Sequence, residues 1–169
     1  MEIHQKNIST PLGEMIACAA DQGICLLEFT DRRNIEKQLK SLSKVLNGEI
    51  VEKEHHHFVQ LENELKEYFE GKRNHFEVPL LITGTEFQEK VWQLLREIPM
   101  GEIRTYKQQS EILGNPKAIR AVGTANGINK IAILIPCHRV IGSNGELVGY
   151  AGGIWRKQKL LELEKAILF

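Results

Sequence analysis

The apolar pattern of this 169-residue chain changes between residues 79 and 84, and this change constrains the fold more than any other feature. Before the change, the apolar runs Met15–Ala20 and Ile24–Phe29 are separated by Asp21-Gln22-Gly23, a combination typical of a β-hairpin. After the change, apolar residues recur mostly at helical spacing. Strands followed by helices predict an α+β fold.

Helical segments are placed by their apolar spacing and by their terminal residues. We predict helices at 35–46, 57–70, 85–98, 106–113, 116–125 and 155–167. Asn47-Gly48 and Gly71 end the first two helices, and Thr85 is the N-cap of the third. The stretch from Gly142 to Gly153 is predicted to be loop and turn because it is rich in glycine. We therefore predict two domains, 1–82 and 83–169, of which the second is mainly helical.

Composition limits the cellular setting. No run of 18 apolar residues is present, so we predict no transmembrane helix and no membrane partner. The N-terminus lacks the basic, apolar and small-residue order of a signal peptide. Three cysteines are an odd number and too few for a disulfide scaffold, which favours a reducing, cytoplasmic location.

The charges are divided unequally between the two predicted domains. Residues 1–82 contain 10 Lys and Arg against 14 Asp and Glu, whereas residues 83–169 contain 12 against 8. The whole chain is neutral, but its second half carries a positive excess. This asymmetry favours an anionic partner, such as a phosphate backbone, for the second half.

Ile135-Pro-Cys-His-Arg-Val-Ile141 is the segment most indicative of chemistry. Pro136 is predicted to keep the preceding backbone extended and to exclude a helix. Cys137 is followed directly by His138, and an imidazole near a thiol is the usual means of generating the reactive thiolate. The alternative for such a pair is a structural cysteine beside a buried histidine.

A helix-turn-helix is predicted around Gly114-Asn115, with Pro116 at the start of the second helix. That second helix consists largely of small residues and carries one long cation, Arg120. Small residues allow a helix to approach a narrow groove closely, with one side chain acting as a wedge. An Ala-rich packing helix with an exposed arginine is the alternative. Tyr106, near the first turn of the pair, is suited to contact phosphate or to donate a proton, or simply to pack.

Two further features are open to a chemical interpretation. Glu164 lies among leucines of the last predicted helix and could orient His138, although the sequence alone favours a solvent-facing glutamate. His55-His56-His57 invites a zinc interpretation. Adjacent positions on a helix face different directions, and no spacing resembles a ligand set such as Cys-x₂-Cys. We therefore predict no metal site and no cofactor, and Cys18 and Cys25 are expected to pack as small apolar groups.

Together these motifs resemble the O6-alkylguanine-DNA alkyltransferase family over nearly the whole chain. The matching segments are Thr10–Gly13, Gly101–Tyr106, Gly114–Ala118, Arg120–Gly123, Ile133–Val140 and Gly149–Gly153. The resemblance implies an RNase H-like α/β domain at the N-terminus. It also implies a mainly α-helical C-terminal domain that contains a helix-turn-helix and the active site.

The resemblance implies a chemical role for four residues. Cys137 is the alkyl acceptor. His138 deprotonates it through a water, and Glu164 polarises His138. Tyr106 protonates the guanine leaving group and contacts the phosphate beside the lesion.

The resemblance also implies a DNA-binding surface and a base pocket. Arg120 enters the base stack in place of a flipped nucleotide, and Asn129 braces the active-site turn. The further DNA-binding residues are Lys117, Tyr106, Ala121 and Gly123, and the further pocket residues are Val140, Tyr150 and Ala151. The Ala151 amide is expected near O6 of the guanine.

The function implied is an irreversible, single-turnover transfer of an alkyl group from O6-alkylguanine, and from O4-alkylthymine, to Cys137. The expected partner is double-stranded DNA containing O6-alkylguanine, and the protein is expected to act as a monomer. Two alternatives remain: a sensor that binds alkylated bases without repairing them, and a Cys-His-Glu thiol hydrolase. Ile119 departs from the smaller residue frequent in the family, and the zinc ligands of some relatives have no equivalent set in this chain.

Overall fold

The computed structural model describes residues 1–166 and divides the chain into two compact units. The first unit spans Met1–Thr83, and the second begins at Gly84. None of the helices within residues 1–166 has the length and apolar character needed to cross a membrane.

The first unit is a four-stranded sheet with two helices. Its elements are β1 (Glu2–Thr10), β2 (Gly13–Ala20), β3 (Gly23–Phe29), α1 (Ile35–Leu46), β4 (Glu49–Glu52) and α2 (His56–Phe69). The strand order is β3-β2-β1-β4, with β4 parallel to β1 and the other pairs antiparallel. The predicted hairpin and the first two helices are confirmed within a residue or two.

Both faces of this sheet are covered, which explains why β2 and β3 are apolar on both sides apart from Glu14 and Glu28. Ile16 and Cys18 share a buried cluster with α1 residues such as Leu42. Because side chains alternate along a strand, Met15 and Ala17 point to the opposite face, and they are also fully buried. The helix α2 packs against β1, β2 and β3 and accounts for that burial.

Gly23, at the start of β3, lies directly against Pro79 in the segment that follows α2. Its φ of 153° and the position of its Cα leave no room for a side chain, because an added Cβ would lie 2.5 Å from the carbonyl oxygen of Pro79. The neighbouring Ile24 donates its backbone N–H to that same carbonyl at 2.8 Å. The turn glycine thus allows the segment at Pro79 to lie against the edge strand β3.

The second unit is mainly helical, as predicted. Its elements are α3 (Glu86–Arg96), β5 (Arg104–Thr105), α4 (Tyr106–Ile112), α5 (Ile119–Gly127), a 3₁₀ turn (Cys137–Arg139), β6 (Val140–Ile141) and α6 (Ile154–Leu163). Thr85 caps α3 and forms a capping box with Gln88, which confirms the predicted start. The indole N–H of Trp92 donates to the carbonyl of Ala125 at 2.9 Å and ties α3 to α5.

Two predicted helix boundaries in this unit are wrong. The helix α5 begins at Ile119 rather than at Pro116, because a turn closed by the Ala118 N–H on the Asn115 carbonyl (3.0 Å) precedes it. The helix α6 ends at Leu163, since Lys165 adopts a left-handed φ of 58° that closes a Schellman-type cap. The predicted end of this helix, Ile167, lies outside the described residues. The glycine-rich stretch 142–153 is loop and turn, as predicted.

Candidate active site

Cys137 opens the 3₁₀ turn and is only partly buried, whereas the residues around it are buried. The predicted extended backbone before Pro136 is wrong, since residues 132–134 form a turn. The predicted exclusion of a helix holds for an α-helix but not for the short 3₁₀ helix Cys137–Arg139, which begins directly after the proline. Ile133 adopts a φ of 71°, an unfavourable value for a β-branched residue. The buried apolar run therefore folds under Cys137 as a compact, strained support rather than as a strand.

Asn129 holds this turn in place. It is 3 % exposed, and its side-chain N–H₂ donates to the carbonyl of Ile135 at 2.9 Å and to that of Ile131 at 3.4 Å. Its side-chain oxygen accepts the Ile131 N–H at 3.0 Å. The same amide nitrogen lies 3.4 Å from Sγ of Cys137, within reach of a hydrogen bond to sulfur. Asn129 thus contacts the turn through both atoms of its amide, and the amide N–H₂ also favours negative charge on the sulfur.

Behind Cys137, His138 and Glu164 form a buried hydrogen bond. Nε2 of His138 lies 2.8 Å from Oε2 of Glu164, and both side chains are fully buried. Arg139 adds two hydrogen bonds to the same carboxylate, at 2.9 and 3.0 Å, and donates a third to the carbonyl of Ile98 at 2.7 Å. Glu164 is therefore not the solvent-facing residue that its sequence context favours.

The carboxylate determines which nitrogen of His138 carries the proton. Glu164 is held ionised: burial alone would raise its pKa, but His138 and Arg139 outweigh burial and lower that pKa to about 2. Because an ionised carboxylate only accepts, Nε2 of His138 must be the protonated nitrogen. Nδ1 then keeps a lone pair, and it has no hydrogen-bond partner within residues 1–166. Burial lowers the pKa of His138 despite the opposing effect of Glu164, so a neutral imidazole is available as a base.

Tyr106 and Lys157 meet at the loop that follows β6. The Tyr106 hydroxyl donates to the carbonyl of Val148 at 3.1 Å, and Nζ of Lys157 donates to the same carbonyl at 2.8 Å. Burial raises the pKa of Tyr106, and Cys137 raises it further, so the phenol stays protonated near neutral pH. Burial lowers the pKa of Lys157 to about 8, and the Cys137 charge opposes that change. A thiolate at Cys137 is therefore close enough to interact with both groups.

Apart from Tyr106, which begins α4, the predicted DNA-binding residues lie on and just before α5. Arg120 and Ala121 are exposed, Gly123 is half-buried, and Lys117 is exposed in the turn before the helix. A Cβ at Gly123 would lie 3.9 Å from the Tyr106 ring, so α5 and α4 approach closely at this point. Arg120 makes no ion pair with any of the residues 1–166. Apart from Ile119 at its start, the exposed face of α5 thus has small side chains and one cation, Arg120, without an ion pair among residues 1–166.

The predicted pocket residues Val140, Tyr150 and Ala151 lie in the short strand β6 and in the loop that follows it. Val140 is fully buried, and its strand pairs in parallel with β5 at Arg104, which brings Cys137 and Tyr106 into the same region. Tyr150 is half-buried and Ala151 is exposed. The Tyr150 carbonyl accepts the Gly153 N–H at 2.9 Å, which closes a turn in the loop.

Sequence reasoning missed two charged residues of the site, Arg139 and Lys157. Arg139 was visible as part of the Pro-Cys-His-Arg-Val segment, but its contact with Glu164 joins positions 25 residues apart. Lys157 is fully buried, although it stands among other basic residues of α6 that gave no reason to single it out. Only the fold distinguishes these two cations from the exposed ones.

Comparison with known proteins assigns the chain to a family. Residues 3–82 match the ribonuclease-like domain of 6-O-methylguanine DNA methyltransferase, and residues 86–166 match the DNA-binding domain of the same protein. The chain belongs to the 6-O-methylguanine DNA methyltransferase family. Both the resemblance inferred from the sequence and the predicted fold class are confirmed.

Individual relatives agree with this assignment. The methylated-DNA–protein-cysteine methyltransferase of Mycobacterium leprae is 41 % identical over 163 residues, which cover 96 % of this chain and 93 % of the relative. The Methanosarcina mazei protein of the same name is 43 % identical, with 94 % of both chains covered. The crystal structure of Mycobacterium tuberculosis O6-methylguanine methyltransferase superposes with a TM-score of 0.82 at 38 % identity, covering 97 % of this chain and 93 % of that one. The Mycobacterium tuberculosis protein solved in complex with DNA gives a TM-score of 0.81 at 37 % identity, with 98 % and 94 % covered.

Proposed function

We propose that this protein is a methylated-DNA–protein-cysteine methyltransferase that removes alkyl groups from O6 of guanine in double-stranded DNA. The observation that carries the proposal is the arrangement of Cys137, His138 and Glu164, with a free Nδ1 lone pair on a neutral, oriented imidazole. The family membership and the DNA-bound relative support a DNA partner. O4-alkylthymine is proposed as a second substrate, and the protein is proposed to act as a monomer.

The proposed reaction is an in-line displacement at the alkyl carbon. Nδ1 of His138 takes the thiol proton of Cys137 through a water, while Glu164 stabilises the imidazolium that forms. The thiolate then forms the S–C bond as the C–O6 bond breaks, and the electron pair passes to the guanine ring. Tyr106 donates a proton to that ring and regains one from the His138 imidazolium by way of water. In sum, the thiol proton moves to guanine and the alkyl group moves to sulfur.

Access to the lesion requires the base to leave the duplex. The alkyl carbon on a stacked base lies out of reach of a partly buried sulfur, so the nucleotide must be flipped at a cost of a few kcal/mol. The exposed small-residue face of α5 suits close approach to the minor groove, and Arg120 is proposed to fill the space left by the base. Lys117 is proposed to contact phosphate, a contact that adds affinity without sequence preference.

The transfer is proposed to occur once per molecule. A thioether is not cleaved by an imidazole that activates water, unlike the thioester a hydrolase would form. Cys137 therefore stays alkylated, and the protein is consumed stoichiometrically.

Mass spectrometry of the intact protein, followed by peptide mapping, after incubation with duplex DNA containing O6-methylguanine tests the proposal. One methyl group, a gain of about 14 Da, should appear on the peptide that contains Cys137 and on neither peptide that contains Cys18 or Cys25. Cys137→Ala should abolish transfer and retain DNA binding. More than one methyl removed per protein molecule would indicate a hydrolase, and binding without any mass change would indicate a sensor.

A further inference from the structure

The cluster His55-His56-His57 is not used by the proposed reaction and lies in the first unit. The sequence predicts no metal site because adjacent residues of a helix face different directions. That reason applies only if His55, His56 and His57 are all helical. In the structure His55 is the extended N-cap of α2, with a φ of −151°, and only His56 and His57 belong to the helix. One potential ligand atom from each of the three side chains lies within 4.8 Å of the other two.

Asp21, in the β2–β3 turn, sets the tautomers of two of these imidazoles. The backbone carbonyl of Asp21 lies 2.9 Å from Nε2 of His57, and its carboxylate lies 3.3 Å from Nε2 of His55. Both oxygens can only accept, so each Nε2 carries the proton and each Nδ1 keeps its lone pair. A ring N–H that donates to a carbonyl or a carboxylate is the usual outer contact of a metal-binding histidine.

The two Nδ1 atoms differ in their present contacts. His57 is 6 % exposed, and its Nδ1 is buried with no hydrogen-bond partner within the described chain. A buried acceptor without a partner is costly, and a bound cation would satisfy it. Nδ1 of His55 accepts the His57 backbone N–H at 3.1 Å, a capping bond that a metal would replace. His56 is exposed, and its ring stacks on that of His55 with the centroids 4.4 Å apart, so a small rotation of the exposed ring would bring one nitrogen to the ion.

We propose that His55, His56 and His57 bind one divalent transition-metal ion, such as Zn²⁺, through Nδ1 of His55 and His57 and one ring nitrogen of His56. Three imidazoles leave a fourth tetrahedral position for water. The partial positive charge at the N-terminus of α2 disfavours a bound cation. The negative charge of the Asp21 carboxylate, beside His55, favours it and offsets the helix dipole. The ion would join the start of α2 to the β2–β3 turn through Asp21.

Zinc titration of the tag-free, chelator-treated full-length protein tests this site, with calorimetry as the readout. One Zn²⁺ should bind per chain. Affinity should fall by at least about tenfold in His56→Ala and in His57→Gln. His75→Ala is the matched control, since His75 is an exposed histidine outside the cluster, and it should bind like the wild type. His56→Ala decides the result if His57→Gln does not fold, because His56 is exposed.

Cobalt substitution distinguishes this site from binding at Cys137. The Co²⁺-loaded protein should lack a thiolate-to-metal charge-transfer band, and Cys137→Ser should bind Zn²⁺ as the wild type does. Zn²⁺ should also raise the melting temperature of the wild type and of His75→Ala but not that of His56→Ala. Absence of binding, equal affinity in His56→Ala, or loss of binding in Cys137→Ser would overturn the proposal. None of these outcomes depends on alkyl transfer.

Discussion

Glu164 illustrates how a single buried carboxylate can serve both the chemistry and the fold. Its carboxylate accepts a hydrogen bond from Nε2 of His138 and two parallel N–H···O hydrogen bonds from the guanidinium of Arg139. The guanidinium is always charged, so it keeps Glu164 ionised whether or not His138 is protonated. The hydrogen bond from Nε2 of His138 to Glu164 therefore persists throughout the proposed reaction, and the neutral imidazole always has its lone pair on Nδ1.

At the scale of single residues, replacing Glu164 should impair formation of the Cys137 thiolate. Glu164→Gln removes the negative charge that stabilises an imidazolium at His138, so thiolate formation should require a higher pH. The pH profile of iodoacetamide labelling at Cys137 should shift to higher pH. The substitution also leaves Arg139 buried without a counter-charge, so a loss of about 3–5 kcal/mol in the free energy of unfolding is expected.

Glu162→Gln is the matched control for this measurement. Glu162 lies in the last turn of α6, just before Glu164, and is partly exposed; it pairs with Lys159 at 3.7 Å and accepts a hydrogen bond from Gln158 at 3.2 Å. Its substitution should leave both the labelling profile and the stability nearly unchanged. A labelling profile in Glu164→Gln that coincides with the wild type would remove Glu164 from the proposed relay.

At the scale of elements, α4, the following turn and α5 form the proposed DNA-binding surface. Thr105 caps α4 with a capping box, which places Tyr106 at the first helical position beside Gly123. The buried side of α5, which includes Val122 and Ala125, fixes its exposed side outward. Because Val122 and Ala125 pack inward, Arg120 on the opposite face of α5 points to solvent.

Arg120→Ala should separate base flipping from alkyl transfer. Repair of a paired lesion in duplex DNA should slow markedly, because nothing long replaces the flipped nucleotide. Reaction with free O6-benzylguanine should change much less, since no flipping is needed. The rates are measured by single-turnover assays on the two substrates.

Lys117→Ala is the comparison variant for Arg120→Ala. It should weaken duplex binding about equally across sequences and reduce the salt dependence of binding by about one phosphate contact. Its effect on the flipping step should be small. Equal losses on duplex and free base in Arg120→Ala would instead place Arg120 in the pocket or the fold.

At the scale of the whole molecule, two buried carboxylates make opposite contributions to the pH dependence of stability. The pKa of Glu164 is lowered to about 2, so its contribution is present above about 4.5 and is lost as pH falls toward 2. Burial raises the pKa of Glu28 to about 7 despite its ion pair with Arg32. The folded state therefore holds a proton on Glu28 between about pH 4.5 and 7, and stability falls as pH rises through that window.

These opposite signs predict the behaviour of two variants. Each carboxylate accounts for a change on the order of 3 kcal/mol in unfolding free energy over its window. Glu28→Gln should flatten the decline between pH 5 and 7, and Glu164→Gln should flatten the loss below pH 4.5. Hydrogen–deuterium exchange measured against pH resolves the first unit from the second. A decline between pH 5 and 7 that persists unchanged in Glu28→Gln would contradict the assignment.

The sequence by itself determined the features that depend on local physics. Alternating or continuous apolar runs and a turn glycine specify the hairpin at Gly23, and the spacing and caps at Thr85 and Asn47 specify helices, because these signals act within a few residues. It did not show β4, a four-residue strand with charged ends that forms only because β1 offers a parallel edge. It placed Cys137 beside His138 because the two are adjacent in the chain.

The tertiary structure decided what lies between distant residues. The burial of Glu164, its contact with Arg139 and the burial of Lys157 all depend on which side of α6 packs inward, and a helix with polar residues on several sides leaves that choice to its neighbours. The grouping of His55, His56 and His57 depends on an N-cap, whose backbone departs from the helix. Local sequence predicts local geometry, whereas the tautomers and charge states of these side chains follow from partners that only folding brings near.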